Sequence, residues 1–306
     1  MSTLSESIQG WMQRYKQNSV KPTTYDRMVT SLNALAGYSI SGMDVLSIQS
    51  DDLQDYIGEM VEDGYALSTI KKQYHLVMAY LKHANTEGII PRPIYENVKL
   101  PVQQMVKKKR KEVYGYTPME QSALNRVFRT QERPGYAAAM LMMETGLRVG
   151  ECLALTWDDV LWGRKALRIN KTLIRIANRR LMEVQEGAKS FTSNRTIPLS
   201  TNAYALLEDL HRQNGEECCY IFKAQNGFPL SYEALRHQTR IACEKAHVPY
   251  LGQHVFRHTF ATNCYNRGCN VKILSKLLGH ADVAVTYNVY IHLFGDGLEE
   301  MRSVVG

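Results

Sequence analysis

Four segments in the second half of this 306-residue chain set charged or titratable side chains beside glycines and apolar anchors. The first, Thr145-Gly-Leu-Arg148-Val-Gly-Glu151, lies where one helical pattern stops and the next begins. Arg148 would then sit at a helix N-terminus, where backbone donors already converge on an anion. Read alone, Arg148 and Glu151 could equally be an ion pair three residues apart on one helix. The second, Gly187-Ala-Lys189-Ser-Phe-Thr-Ser-Asn-Arg195-Thr-Ile-Pro198, carries Lys189 at a turn leading into a strand, where a lysine is usually just solvated. In the third, His254-Val-Phe-Arg257-His258, the spacing puts His254 and Arg257 on one helical face if the helix has begun, while Val255, Phe256 and Phe260 read as core. The fourth is Leu277-Leu-Gly279-His280, followed ten residues later by Tyr290 in Tyr290-Ile-His292. Together these side chains could bind an anion, move protons and supply a nucleophile.

The elements that must position them form two groups. From Thr3 to about Leu100 the pattern is helical, with helices near 3–17 and 23–36, a third capped by Ser50 and ended by Gly64, and a fourth from about Ser68 to Gly88. The third has an acidic first turn, Asp51 and Asp52, and apolar Leu53, Ile57, Met60 and Val61 at helical spacing. On the fourth, Ile70, Tyr74, Val77 and Leu81 share a face, and Lys71, Lys72, His75 and Lys82 lie around the other, which periodicity alone reads as a solvated face. Pro91, Pro93 and Pro101 then interrupt regular structure before the basic run Lys107, Lys108, Lys109, Arg110, Lys111. The spacing predicts a helical domain over 1–105, a basic linker over 106–113 and a second domain over 114–306. That second domain opens on Thr117-Pro118-Met119-Glu120, a capping box with proline at the first helical position. Alternation around Leu167–Ile169, Leu173–Ile176, Leu181–Val184 and Thr196–Ile197 predicts a small antiparallel sheet, and helices return near 201–213, 231–246, 255–266, 270–278 and 282–292. Strands segregated in this way argue for a mainly helical α+β domain, not a doubly wound sheet.

Composition narrows the partner. The net charge is +7 and the pI about 9.0, which favours an anionic partner such as nucleic acid without establishing one. The charge is uneven, since residues 1–106 carry 9 basic against 11 acidic groups and the run 107–111 adds five cations in a row. Between two folded segments, such a run suggests a strap along phosphates. Six cysteines, at 152, 218, 219, 243, 264 and 269, make neither paired CxxC units nor a zinc set, so free thiols in a reducing cytoplasm are expected. The sequence shows no secretory leader and no apolar stretch of membrane length, and a cytoplasmic, nucleoid-associated protein is expected.

Arginine, lysine, His-x-x-Arg, Leu-Gly-His and tyrosine, in that chain order over about 145 residues, resemble the signature of the tyrosine recombinase or phage integrase family. Each motif is modest, but their ordered conjunction is specific. The Ser68-Thr-Ile-Lys71 helix and its proline-rich exit resemble the family's core-binding domain, a less diagnostic half. The resemblance implies an N-terminal all-α, SAM-like core-binding domain and a C-terminal catalytic domain closing around duplex DNA. It implies catalytic roles for Arg148, Lys189, His254, Arg257, His280 and the nucleophile Tyr290, with Glu151 behind them holding nearby basic groups. DNA contacts are expected from Lys71, Lys72, Lys107, Lys108, Lys109, Arg110 and Lys111. Tyr287, one turn from Tyr290, competes as nucleophile, but the family's spacing after the histidine and its following x-His select Tyr290.

By that resemblance the chain is a site-specific recombinase of a mobile element, acting in DNA integration, excision or inversion through a 3′-phosphotyrosyl intermediate without metal, ATP or other cofactor. Its partners would be double-stranded DNA with inverted-repeat core sites, three further copies in a tetramer (or two heterologous pairs), and accessory proteins that set direction, with no membrane. The segment after Tyr290 would pack on a neighbouring protomer or on its own domain. Starting directly at core-binding helices suggests an Xer-like or invertase-like system without an arm-binding domain, or a shortened chain. Two other readings stand beside this one: a catalytically silent DNA-binding relative, and a type IB topoisomerase. The complete polar set argues against the silent form, and the N-terminal helices with Leu-Gly-His argue against the topoisomerase.

Overall fold

The computed structural model describes residues 2–103, 106, 115–176, 181–186, 194–214, 219–280 and 282–290. The chain divides into two compact units, Met1–Lys111 with Arg175–Leu181, and Glu112–Ile174 with Met182–Gly306.

The first unit is built on four α-helices among the described residues: α1 (Leu4–Trp11), α2 (Pro22–Leu35), α3 (Ser50–Glu62) and α4 (Leu67–Thr86). Thr3 caps α1 in a reciprocal box with Glu6, and the helix continues into a π-helical turn over Met12–Lys16. Leu4, Ile8, Leu35, Leu53, Ile57, Ile70, Val77 and Leu81 form one buried core from all four helices. The expected cap of α3 shifts by one residue. Gln49 is the N-cap, with Asp52 accepting from its backbone N–H at 2.8 Å. Ser50 is already helical and donates its hydroxyl to the Ile94 carbonyl at 2.6 Å, fastening the proline-rich exit to α3. That long-range partner, invisible to a local pattern, drew Ser50 away from the cap. Gly64 and Gly88 both take positive φ just past their helices, as the stop signals require. Lys71 and Lys72 are exposed on α4.

The second unit is organised around α6 (Pro134–Thr145), which is buried on nearly every side and packs against α5 (Pro118–Phe128), α7 (Val149–Leu153), α8 (Thr201–Asn214), α9 (Tyr232–Ala246) and α10 (His254–Asn266). Ala137, Ala138 and Ala139 let those neighbours approach closely, and Tyr136, Leu141 and Met142 fill the remaining space. The Thr117 box caps α5 with Pro118 at its first position. The sheet expected from alternation is three-stranded and antiparallel, β1 (Val160–Leu161), β2 (Ala166–Ile169) and β5 (Arg195–Pro198), with β2 central and Leu167 opposite both Val160 and Ile197. β3 (Lys171–Ile176) and β4 (Leu181–Glu186) pair separately. Two-residue β1 escaped the alternation because it lies between single-turn helices at Trp157–Asp159 and Trp162–Arg164. α11 (Val271–Leu278) and α12 (Val283–Tyr290) complete the unit.

Phe256 anchors α10 with no exposed surface, between the rings of Tyr116 and Phe128. Burying such a ring is worth several kcal/mol, and truncating one typically costs about 3–5 kcal/mol. It therefore fixes how α10 presents its first turn.

Gly146 ends α6 at φ +67°, and a Cβ there would meet the Phe260 ring at 2.4 Å. Gly146→Ala is predicted to lower the unfolding free energy by at least about 2 kcal/mol, from left-handed strain plus overpacking. Gly163→Ala, where a Cβ meets nothing within 4 Å, should stay within about 0.5 kcal/mol of wild type. Urea denaturation of both variants checks the contrast, and equal stabilities would refute it.

Candidate active site

Left-handed Gly146 turns the chain sharply out of α6, buried Leu147 pins the turn, and Arg148 becomes the N-cap of the short α7. Glu151, one turn into α7, reaches back to accept from the Arg148 backbone N–H through Oε2 at 2.9 Å and from Arg148 Nη1 through Oε1 at 2.8 Å. Arg148 and Glu151 are thus an ion pair, and the Arg148 guanidinium lies at the start of α7. Arg148 Nη2 donates to the Gly279 carbonyl at 2.8 Å.

The same carboxylate takes a second guanidinium. Arg195, the first residue of β5, donates Nη1 to Glu151 Oε1 at 3.1 Å and Nη2 to Oε2 at 2.8 Å, a two-toothed grip, and its Nε donates to the Leu277 carbonyl at 2.8 Å. Its side chain is 8% exposed, whereas that of Arg148 is 37% exposed, so of the two only Arg148 presents an open face. Burial alone would raise the Glu151 carboxyl, but the Arg195 hydrogen bonds and charge, joined by Arg148, outweigh it and hold it down at about 2. In the sequence Arg195 lies within the Lys189 motif with no role assigned to it. The signal available was an arginine on a strand whose neighbours are otherwise short or apolar.

His254 opens α10, so the three-residue spacing does place it and Arg257 on one face. Arg257 is buried and donates Nη1 to the Gly146 carbonyl at 2.7 Å and Nη2 to the Leu278 carbonyl at 2.8 Å. Its Nη2 also lies 2.9 Å from His280 Nε2. A guanidinium can only donate, so Nε2 accepts, the imidazole proton sits on Nδ1, and Nδ1 donates to Thr286 Oγ1 at 2.7 Å. Thr286 is fully buried in α12, so this contact ties the Leu-Gly-His loop to the helix that ends at Tyr290. Burial and then the charges of Arg257, Arg148 and Arg195 push His280 down to about 4. His254 is also lowered, by desolvation and then by Arg257 and Arg148. Both shifts favour the neutral imidazole at pH 7.

The structure thus brings Arg148, Glu151, Arg257 and His280 together around the carbonyls of Gly146, Leu278 and Gly279, and His254 feels the charge of both arginines. Tyr290 closes α12, and Tyr287 one turn earlier is 46% exposed. Lys189, the run Lys107, Lys108, Lys109, Arg110, Lys111 and the segment after Tyr290 lie outside the described residues. Among the described residues no helix is long and apolar enough to cross a membrane. A mostly buried cluster of arginines with one open guanidinium, that of Arg148, suits an anion whose charge is spread over several oxygens.

A model of the phage integrase family matches residues 117–295, more than half of the chain. A XerC-like tyrosine recombinase of Caldanaerobacter subterraneus subsp. tengcongensis is 24% identical over 312 residues, covering 95% of this chain and 79% of that protein. Tyrosine recombinase XerC of Bacillus subtilis is 26% identical over 270 residues, 83% of this chain and 79% of that one. Among solved structures, the Tn1549 transposon integrase in complex with a circular intermediate DNA superposes with a TM-score of 0.80 at 20% identity, covering all of both chains. The lambda integrase tetramer bound to a Holliday junction gives 0.68 at 16% identity, covering 94% of this chain and 77% of that one. The fold is therefore shared with integrases, and the family model spans the segments that carry every member of the arginine, histidine and tyrosine set: the chain belongs to the phage integrase family of tyrosine recombinases.

Proposed function

We propose that this chain is a site-specific DNA recombinase that cuts and rejoins strands through a covalent bond between Tyr290 and a 3′-phosphate. The observation that carries the reading is the convergence of Arg148 and Arg257 on adjacent carbonyls of one loop, Leu278 and Gly279, with neutral His280 between them and the Tyr290 helix. A phosphodiester repels nucleophiles, and charge grows on its non-bridging oxygens as attack proceeds. Arg148 and Arg257 stabilise that charge. Tyr290 Oη forms the new P–O bond as the bond from phosphorus to the 5′ oxygen breaks. Neutral His254 or His280 takes the phenolic proton, and Lys189 gives one to the departing 5′ oxygen. The phosphotyrosyl bond keeps the energy of the broken linkage, so the reverse attack by a 5′ hydroxyl rejoins DNA without metal or ATP. Glu151 holds Arg148 in place.

Relatives described as integrases and transposases, and neighbours solved on DNA as dimers and tetramers, support duplex DNA with paired core sites and a homotetramer as the working partners. Integration, excision and inversion are alternative outcomes of the same chemistry. Lys71, Lys72 and the basic linker Lys107–Lys111 would add sequence-independent phosphate contacts. The two units would serve as the core-binding and catalytic domains.

The deciding experiment uses a nicked duplex carrying the inverted-repeat site selected by this protein from a randomised pool, incubated in EDTA and run on a denaturing gel. Wild type should give a covalent protein–DNA band and Tyr290→Phe none. A band that survives Tyr290→Phe and disappears in Tyr287→Phe would move the nucleophile, and bound but uncut DNA in every lane would favour the silent relative. Arg148→Ala or Arg257→Ala should slow adduct formation by about 100-fold or more, while DNA affinity falls far less.

An incoming phosphate competes with His280 for the Arg257 hydrogen and favours the imidazolium. His280 should therefore titrate at about 4 in free protein and higher in the DNA complex, as histidine-resolved NMR would report. Because the folded value lies below the unfolded 6.5, the stability His280 contributes is complete above pH 6.5 and is lost as pH falls toward 4. A free-protein value near 6.5 would contradict this.

A further inference from the structure

We propose that Arg195 is a positioning residue for strand cleavage, which sets the Arg148 guanidinium through two partners at once; the inference rests on the functional reading above. Among the described residues, the side-chain hydrogen bonds of Arg148 go to two groups that Arg195 either grips or packs against. One is Glu151 Oε1, whose carboxylate Arg195 grips with Nη1 and Nη2 at 3.1 and 2.8 Å. The other is the Gly279 carbonyl, on a glycine whose α-carbon face lies directly against the Arg195 guanidinium: a Cβ there would meet Nη1 at 2.8 Å and Cζ at 3.0 Å. Arg195 also fixes the preceding turn of α11 through the Leu277 carbonyl. With 8% of its side chain exposed, it acts through these neighbours and not by meeting a phosphate itself.

A lysine at 195 keeps the charge but lacks the planar fork, so it cannot hold both carboxylate oxygens and brace Gly279 together. Errors of about 1 Å in such a group cost on the order of 100-fold in rate. The Arg195→Lys protein should bind the selected duplex within about 3-fold of wild type and form its adduct about 10- to 100-fold more slowly.

Three comparisons separate this role from a merely structural ion pair. In a double-mutant cycle, Arg195→Lys should slow an Arg148→Ala protein by less than about 3-fold further, since the group it positions is gone; additive losses would overturn the proposal. On a substrate with a neutral methylphosphonate at the scissile position, where arginine charge matters less, the Arg195→Lys defect should shrink toward wild type. On a 5′-bridging phosphorothiolate, whose sulfur leaves without protonation, the defect should persist. Disappearance there would instead assign Arg195 to Lys189, six residues upstream, and overturn the proposal. Independently of activity, the Arg148 Nε–H resonance of labelled, DNA-free protein should shift in Arg195→Lys and stay put in the surface control Arg212→Ala. An unmoved resonance refutes the positioning claim even if no cleavage is seen, and absence of an adduct from wild type, with the resonance shifted, would fault only the functional reading.

Discussion

Three arginines crowd one small volume of the second unit, and two of them share one buried carboxylate, Glu151. Like charges about 6 Å apart repel by roughly 3 kcal/mol at an effective dielectric constant of about 20. Glu151 offsets this by accepting hydrogen bonds from the Arg148 backbone, the Arg148 side chain and both arms of Arg195. Its own burial is tolerable only because those partners are present, and a buried charge stripped of its partner is among the costliest defects a fold can carry. The short α7, the start of β5 and the Gly279 turn are consequently fixed with respect to one another by one side chain.

The remaining cation is handled differently. Arg257 donates to the carbonyl oxygens of Gly146 and Leu278, and the two glycine-containing turns aim those carbonyls inward. Carbonyl dipoles orient a guanidinium by accepting its hydrogens, which fixes the plane of the Arg257 group. Burial and then the arginine charges lower His280, and the Arg257 hydrogen bond to Nε2 selects the Nδ1–H tautomer that Thr286 receives. Arg148 and Arg257, far apart in sequence, are thus aimed at the same turn, Arg148 through Glu151 and the Gly279 carbonyl and Arg257 through the Gly146 and Leu278 carbonyls.

Much of this was legible in the sequence where the signal is local. Thr117 and Glu120 announced the start of α5, Gly146 announced the end of α6, and the His254–Arg257 spacing stated a shared face. What escaped was long-range. Arg195 lies 44 residues from Glu151, and nothing near it in sequence names its partner. Ser50 has the chemistry of a cap but is claimed by Ile94, and β1 is too short to show alternation. Thr286, whose hydroxyl fixes the state of His280, is an ordinary helical threonine until the fold delivers the imidazole to it.

The glycine of Leu-Gly-His has a consequence for how such chains can diverge. Its φ of +66° alone would disfavour most replacements, but the Arg195 guanidinium occupies the place any side chain would need. A substitution at 279 therefore becomes tolerable only after the side chain at 195 has shortened, and shortening 195 first unseats Glu151. Each single step passes through a damaged protein. The two positions, 84 residues apart, are therefore sterically coupled, the side chain at 195 filling the room that one at 279 would need.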